Sequence, residues 1–149
     1  MKIALVVLAL LVALAAAFGA WVRLSASDPA QWQVDPDAVT ARNPKNSFLL
    51  RDGGDAPALR LAQPPAEVAA RLEAIALATP RTVRVAGEGP WVTYVTRSAL
   101  WGFPDYTTVK VTPDGAGAVV TVFARARFGA DDFGVNRARV EGWLSRLSK

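Results

Sequence analysis

The chain contains no cysteine and no histidine, and these two absences exclude several kinds of site. Without cysteine there is no disulfide, no thiolate nucleophile and no lipid-modified thiol. Without either residue, Cys/His zinc sites and the Ser-His-Asp and Cys-His catalytic arrangements are excluded as well. We therefore expect neither a metal nor a cofactor.

A large excess of one charge is also lacking. The chain has 17 basic and 13 acidic residues, and two of the basic residues, Lys2 and Arg23, flank an apolar segment. The rest of the chain therefore carries a net charge of only +2. Domains that bind nucleic acid present a clustered basic surface, so we expect no nucleic acid as a partner.

Charge and proline are absent from residues 3–22, which read IALVVLALLVALAAAFGAWV. Twenty helical residues are about 30 Å long, which matches the hydrocarbon thickness of a bilayer. We predict that residues 1–23 form a transmembrane anchor or an uncleaved signal, with the bilayer as partner of residues 3–22. The residues that mark this span are Ile3, Leu10, Leu14, Phe18, Trp21 and Val22.

A cleaved signal peptide is the alternative to a retained anchor. Small residues at 17 and 19, and at 25 and 27, fit the exit of a signal peptide. The length of the apolar run and the aromatic Trp21 at its end favour retention. Both interpretations place the rest of the chain on the periplasmic side of the cytoplasmic (inner) membrane of a bacterium. An inverted anchor with a cytoplasmic domain stays open.

The remaining chain predicts a stalk and one small domain. Residues 24–45 carry three prolines and no hydrophobic periodicity, so we expect an extended stalk. Residues 46–149 predict a single α+β domain in which a helix and a C-terminal helix pack on one face of a four-stranded antiparallel meander. The predicted helices are 64–79 and 132–147, and the predicted strands are 82–86, 91–97, 106–112 and 118–127. Residues 46–50 are a further short strand candidate.

The densest polar region supplies the candidate site. Alternation along the last strand places Arg125 and Arg127 on one face, and Arg97 ends a neighbouring strand. Three guanidinium groups with nothing to pair would bind an anion. Alternatively, Asp105, Asp131 and Asp132 pair with them in an internal network. The candidate ligand-binding residues are Arg97, Ser98, Asp105, Arg125, Arg127, Asp132, Asn136 and Arg139.

The same region resembles a known family. The motifs are Tyr94-Val95-Thr96-Arg97-Ser98, Gly102-Phe103-Pro104-Asp105, Arg125-Ala126-Arg127-Phe128-Gly129 and Asp132-Phe133-Gly134-Val135-Asn136-Arg137-Ala138-Arg139. In this order they resemble domain-of-unknown-function family 1499 over about residues 45–147, and the segment before them is similar to that of membrane-anchored members. The resemblance implies the fold but no activity.

Two functions from different classes are therefore predicted. The first is a membrane-tethered extracytoplasmic binding or assembly domain, whose partner is an envelope protein or an anionic small molecule. The second is an unrecognised hydrolase or transferase that uses Asp105 or Asp132, with the arginines as an anion clamp. Because no nucleophile with an adjacent base is found in the sequence, we favour binding and assign no catalytic residue.

Overall fold

The computed structural model describes residues 2–149, which form an apolar N-terminal helix followed by an α+β domain. The first helix, α1 (Lys2–Leu24), is long and apolar enough to cross a membrane by length and composition. Its side chains are exposed over most of its length, with more than half of Ile3, Leu10 and Leu14 accessible. A helix that buries its apolar surface in a protein core would not show this pattern.

The predicted α+β class is confirmed, but the sheet has six strands instead of four. The strands are β1 (Ser47–Leu50), β2 (Leu59–Leu61), β3 (Thr82–Glu88), β4 (Trp91–Arg97), β5 (Pro104–Asp114) and β6 (Gly117–Ala126). Their order is β1-β6-β5-β4-β3, and β2 pairs with the first part of β6. All strand pairs are antiparallel. The four-stranded prediction was therefore incomplete. The strand candidate at residues 46–50 is β1, and it pairs with β6, as does β2, which was not predicted.

Two helices and alternate strand residues build the main core. Helix α3 (Pro65–Leu77) begins with proline and buries one stripe that includes Val68 and Leu72. Helix α4 (Val135–Leu147) buries Val140 and Trp143 in the same cluster. Four residues of β6 that alternate along the strand complete this cluster: Ala118, Val120, Val122 and Ala124. The opposite face of β6 therefore carries Thr121, Phe123 and Arg125.

Helix α4 begins three residues later than predicted. Phe133 and Gly134 have φ angles of 53° and 78°, in the left-handed region, so the chain turns there before the helix starts. Asp132 still contacts the first turn, because its carboxylate accepts the N–H of Asn136 at 3.0 Å. Asp132 thus caps the first turn of α4 from within the preceding turn.

The segment expected to be an extended stalk lies across the second face of the sheet. We call residues 25–45 the strap. It contains a short helix, α2 (Pro29–Trp32), and a 3₁₀ turn at Pro36–Ala38, each started by an aspartate that accepts a backbone N–H. Lys110 of β5 contacts Asp35 and Asp37 at 2.8 Å, which fixes the strap to the sheet. Val34 and Val39 of the strap also pack on Phe123 of β6, so separate polar and apolar contacts hold the strap without a periodic apolar face.

Candidate functional site

The three candidate arginines lie together on the strap side of the sheet. The guanidinium carbons of Arg125 and Arg127 are 5.5 and 5.9 Å from the ring centre of Trp32 in the strap. Arg97 ends β4 and reaches the start of the strap. Arg125 and Arg127 therefore share one face, as strand alternation predicted, but Arg97 is not on the neighbouring strand, because β5 lies between β4 and β6. We call Arg97, Arg125 and Arg127 the arginine trio.

Arg125 is buried, with only 7% of its surface exposed. It donates to the carbonyl oxygens of Trp32 and Phe123 and to the Thr108 hydroxyl, and its guanidinium lies 4.6 Å from the ring centre of Phe123. Burial without an acidic partner lowers the pKa of Arg125 to about 10. A cation in such a place depends on carbonyl oxygens and aromatic faces for compensation.

The other two members of the trio also donate to backbone oxygens near the strap. Arg97 donates to the carbonyls of Val22 at 3.2 Å and Ser25 at 3.2 Å, and Arg127 donates to that of Ala26 at 2.8 Å. Within residues 2–149 no carboxylate forms an ion pair with any member of the trio. The predicted pairing with Asp105, Asp131 and Asp132 is therefore not found. The trio instead clamps the chain that leaves α1.

Trp32 is the strap residue that completes the clamp. Its ring stacks on Tyr106 of β5, with ring centres 3.7 Å apart and planes 9° from parallel. Tyr106 is fully buried, and its hydroxyl is 2.8 Å from that of Ser27 in the strap. Sequence reasoning did not assign Trp32 to the site. Its isolation as the one aromatic residue in a polar segment was the available signal.

Four other candidate residues form a separate network beside the trio. Arg139 of α4 donates to the Asp105 carboxylate at 2.8 Å and to the Asn136 side-chain oxygen at 2.8 Å. Asn136 is fully buried and donates to Asp132 at 2.6 Å. The network therefore runs from the start of β5 to the turn before α4. It accounts for Asp105 and Asp132, two of the three carboxylates that the sequence suggested as partners of the trio.

Asp105 is the titratable member of this network whose environment is least favourable to charge. Its burial raises its pKa, and nearby Asp132 acts in the same direction, while Arg139 opposes both. The carboxyl lies at a cavity of about 330 Å³ that is also lined by Asp132, Phe103 and Phe133. Asp131 accepts the N–H of Phe133 at the rim, so it shapes the turn.

Ser98 closes the loop between β4 and β5. Its hydroxyl accepts the N–H of Phe103 at 3.0 Å, and its own backbone N–H donates to the Phe103 carbonyl at 2.9 Å. This loop contacts the end of α1, where Phe18 lies 6.3 Å from Trp101 and 6.2 Å from Phe103 between ring centres. Ser98 therefore shapes the surface on which α1 rests.

Metal binding has no support in the described part of the chain. No group of three or more His, Cys, Asp and Glu side chains among residues 2–149 is placed to hold an ion. The chemistry of the region is that of guanidinium groups, carbonyl oxygens, aromatic rings and one largely buried ion pair between Arg139 and Asp105.

Comparisons with known proteins agree with the extent of this fold. No curated protein matches the chain. The family described as "Protein of unknown function (DUF1499)" matches residues 27–147, which include most of the strap, the sheet, and helices α3 and α4. The match thus begins in the strap, in accord with the packing of that segment on the sheet. This chain belongs to the DUF1499 family.

Proposed function

We propose that this protein is a single-pass protein of the bacterial inner membrane whose periplasmic domain binds a partner at the membrane surface. The domain recognises an envelope protein or an anionic group, and α1 is a retained anchor. The observation that carries the proposal is the arginine clamp. The trio holds the carbonyls of residues 22–32, so the domain is fixed to the end of α1 instead of hanging from a flexible stalk.

The contacts of α1 support a domain held beside the bilayer. Trp21 lies 5.8 Å from Phe128 between ring centres, and Val22 is fully buried although it belongs to the apolar segment. Arg23 donates to the Leu100 carbonyl at 2.6 Å. Tryptophan is enriched at membrane–water interfaces, and an arginine at the end of a spanning helix reaches the interface with its long side chain. A ligand of this domain is therefore most accessible when it lies at the same membrane surface.

The clamp also argues against the second of the two possible signal exits, at residues 25–27. Cleavage after residue 27 would remove the carbonyls of Val22 at the end of α1 and of Ser25 and Ala26 in the strap, which accept hydrogen bonds from Arg97 and Arg127. Two arginines would then lose partners that compensate their charge. If the anchor is retained, the acceptors of these hydrogen bonds remain part of the protein.

The absence of cysteine gives a direct test of topology. We expect a single Glu67→Cys substitution, on the exposed side of α3, to react with a membrane-impermeant maleimide in intact spheroplasts. The cysteine-free parent is the matched control for background labelling. The extracted protein should keep its N-terminal segment and show an intact mass of 15.8 kDa. Labelling only after lysis would contradict the periplasmic placement, and a lower mass would contradict retention of the N-terminal anchor.

The second candidate function is a hydrolase or transferase centred on Asp105 or Asp132. The observation that favours it is the raised pKa of Asp105 beside a cavity of about 330 Å³. Against it, Asp105 is paired with Arg139, and Asp132 already accepts hydrogen bonds from Gly134 and Asn136. A satisfied carboxylate is a poor general base.

Turnover measurements decide between the two functions. Under the binding proposal, the purified full chain in detergent does not hydrolyse chromogenic phosphate, ester or glycoside substrates above the rate of the Asp105→Asn variant. A rate in the parent that falls at least a hundredfold in Asp105→Asn, with folding unchanged, would establish the enzyme instead.

A further inference from the structure

A second group of arginines surrounds a cavity at the end of α1. The cavity has a volume of about 410 Å³ and lies between α1, the start of β3 and the loop after β4. We call it the interfacial cavity. Its charged lining consists of Arg23, Arg81 and Arg97, and its apolar lining includes Val83 and Val95. Arg125 and Arg127 do not line it.

The three arginines of the interfacial cavity have hydrogen bonds only to carbonyl oxygens. Arg23 donates to Leu100, Arg97 donates to Gly102 at 3.0 Å, and the Nε of Arg81 donates to the Arg97 carbonyl at 3.0 Å. No carboxylate of residues 2–149 forms an ion pair with any of them or lines the cavity. Three like charges around one space favour a bound anion, and the fork of N–H groups on a guanidinium matches a phosphate.

A close backbone approach holds Arg23 in this place. Gly102 has a φ angle of 75°, and a side-chain carbon added there would lie 2.6 Å from the Cγ of Arg23. Only glycine allows the Arg23 stem to lie flat against the loop. In this loop Leu100 is 74% exposed and Trp101 is 37% exposed, so the loop presents apolar surface beside the arginines.

The position of the cavity relative to α1 identifies the class of anion. Arg23 directly follows the uncharged residues 3–22, so it lies where the hydrocarbon of a bilayer ends and lipid phosphates begin. Val83 is 58% exposed and Val95 lines the same space, which suits the glycerol and first methylenes of a lipid. Exposed Leu100 and Trp101 would enter the interfacial layer at the same level.

We propose that the interfacial cavity binds the phosphate of one anionic phospholipid, with Arg23 and Arg81 as its main ligands. The inference rests on the proposed function, because it requires α1 to remain in the membrane. Arg97 is shared between this site and the clamp. Arg81 uses only its Nε in the hydrogen bond to the protein, so its terminal nitrogens are the donors for the lipid.

Native mass spectrometry of the detergent-solubilised full chain tests the proposal, because it separates the protein with one lipid from the protein with none. We expect phosphatidylglycerol to be retained with a stoichiometry of one, and phosphatidylcholine to bind more weakly. Arg81→Gln should weaken phosphatidylglycerol binding roughly tenfold or more, since it removes a charge-assisted hydrogen bond. Arg23→Gln should act in the same direction, and Arg81→Lys should recover part of the binding.

Two controls make the outcome decisive. Arg71→Gln in α3 removes the same charge outside the cavity, and should leave lipid binding unchanged. Inorganic phosphate is added as a competitor to distinguish a lipid site from a site for a soluble anion. Equal retention by the parent and both Gln variants at positions 23 and 81 would overturn the proposal. So would competition by phosphate at equal affinity. Either failure, together with the expected labelling of Glu67→Cys, would leave the proposed function intact.

Discussion

Replacement of Arg125 by alanine is expected to lower the free energy of unfolding by about 3 kcal/mol. The change removes hydrogen bonds to the carbonyls of Trp32 and Phe123 and leaves a gap between two aromatic rings. In a domain of this size, the melting temperature of the full chain in detergent should fall by about 10 °C. Hydrogen exchange of residues 25–34 should accelerate in the folded state, because the strap loses its central contact.

The controls for Arg125→Ala separate charge from packing. Arg125→Met keeps most of the side-chain volume and removes the charge, so its loss of stability should be smaller than that of the alanine variant. Arg71→Ala removes an arginine that has no ion pair, and should change stability by less than about 0.5 kcal/mol. Unchanged or increased stability in both Arg125 variants would show that this arginine does not clamp the strap. The buried charge would then be retained at a cost to stability, as in ligand sites.

Local patterns predicted the regular elements well. Alternating apolar residues located β3 to β6, and proline with an apolar stripe located α3 to within two residues at each end. These signals are strong because the spacing of apolar residues along a strand or helix depends directly on which residues are buried. Strand β2 was missed because three residues give no pattern, and its place beside β6 depends on pairing with residues about sixty positions away. The late start of α4 was missed because it depends on two left-handed residues.

The arginine trio shows where sequence reasoning about the site stops. Strand periodicity was sufficient to place Arg125 and Arg127 on one face, and Arg97 reaches the same part of the strap from β4, two strands away. Their partners, however, are backbone carbonyls of the strap and of the end of α1, and every residue type carries a carbonyl. A search for acidic partners therefore selected Asp105 and Asp132, which the structure assigns to Arg139 and to the start of α4. Trp32, the one aromatic residue of the strap, was the only side chain there whose type indicated contact with the arginines.

Replacement of Arg139 by methionine should destabilise the protein more than any other single change in the acidic network. Its ion pair with Asp105 is largely buried, with 10% and 16% of the two side chains exposed. Removal of one partner leaves a buried charge without compensation, which costs on the order of 3–5 kcal/mol. Asn136 also loses the donor to its side-chain oxygen. We expect this loss of stability near neutral pH, measured by thermal melting of the full chain in detergent.

The pH dependence of the Arg139→Met defect distinguishes charge from packing. Burial already raises the pKa of Asp105, and Arg139 is the group that lowers it, so the variant should raise it further. A carboxyl whose pKa is higher in the folded state than in the unfolded state favours folding when protonated and disfavours it when ionised. The loss of stability caused by Arg139→Met should therefore be small at a pH below the ordinary carboxyl pKa of 3.8. It should grow as the pH rises through the pKa of Asp105 in the folded variant. Asp105→Asn combined with Arg139→Met should remove this dependence and recover part of the stability at neutral pH. A defect of equal size at all pH values would mean that Arg139 acts only through packing, and that Asp105 is not the charge it compensates.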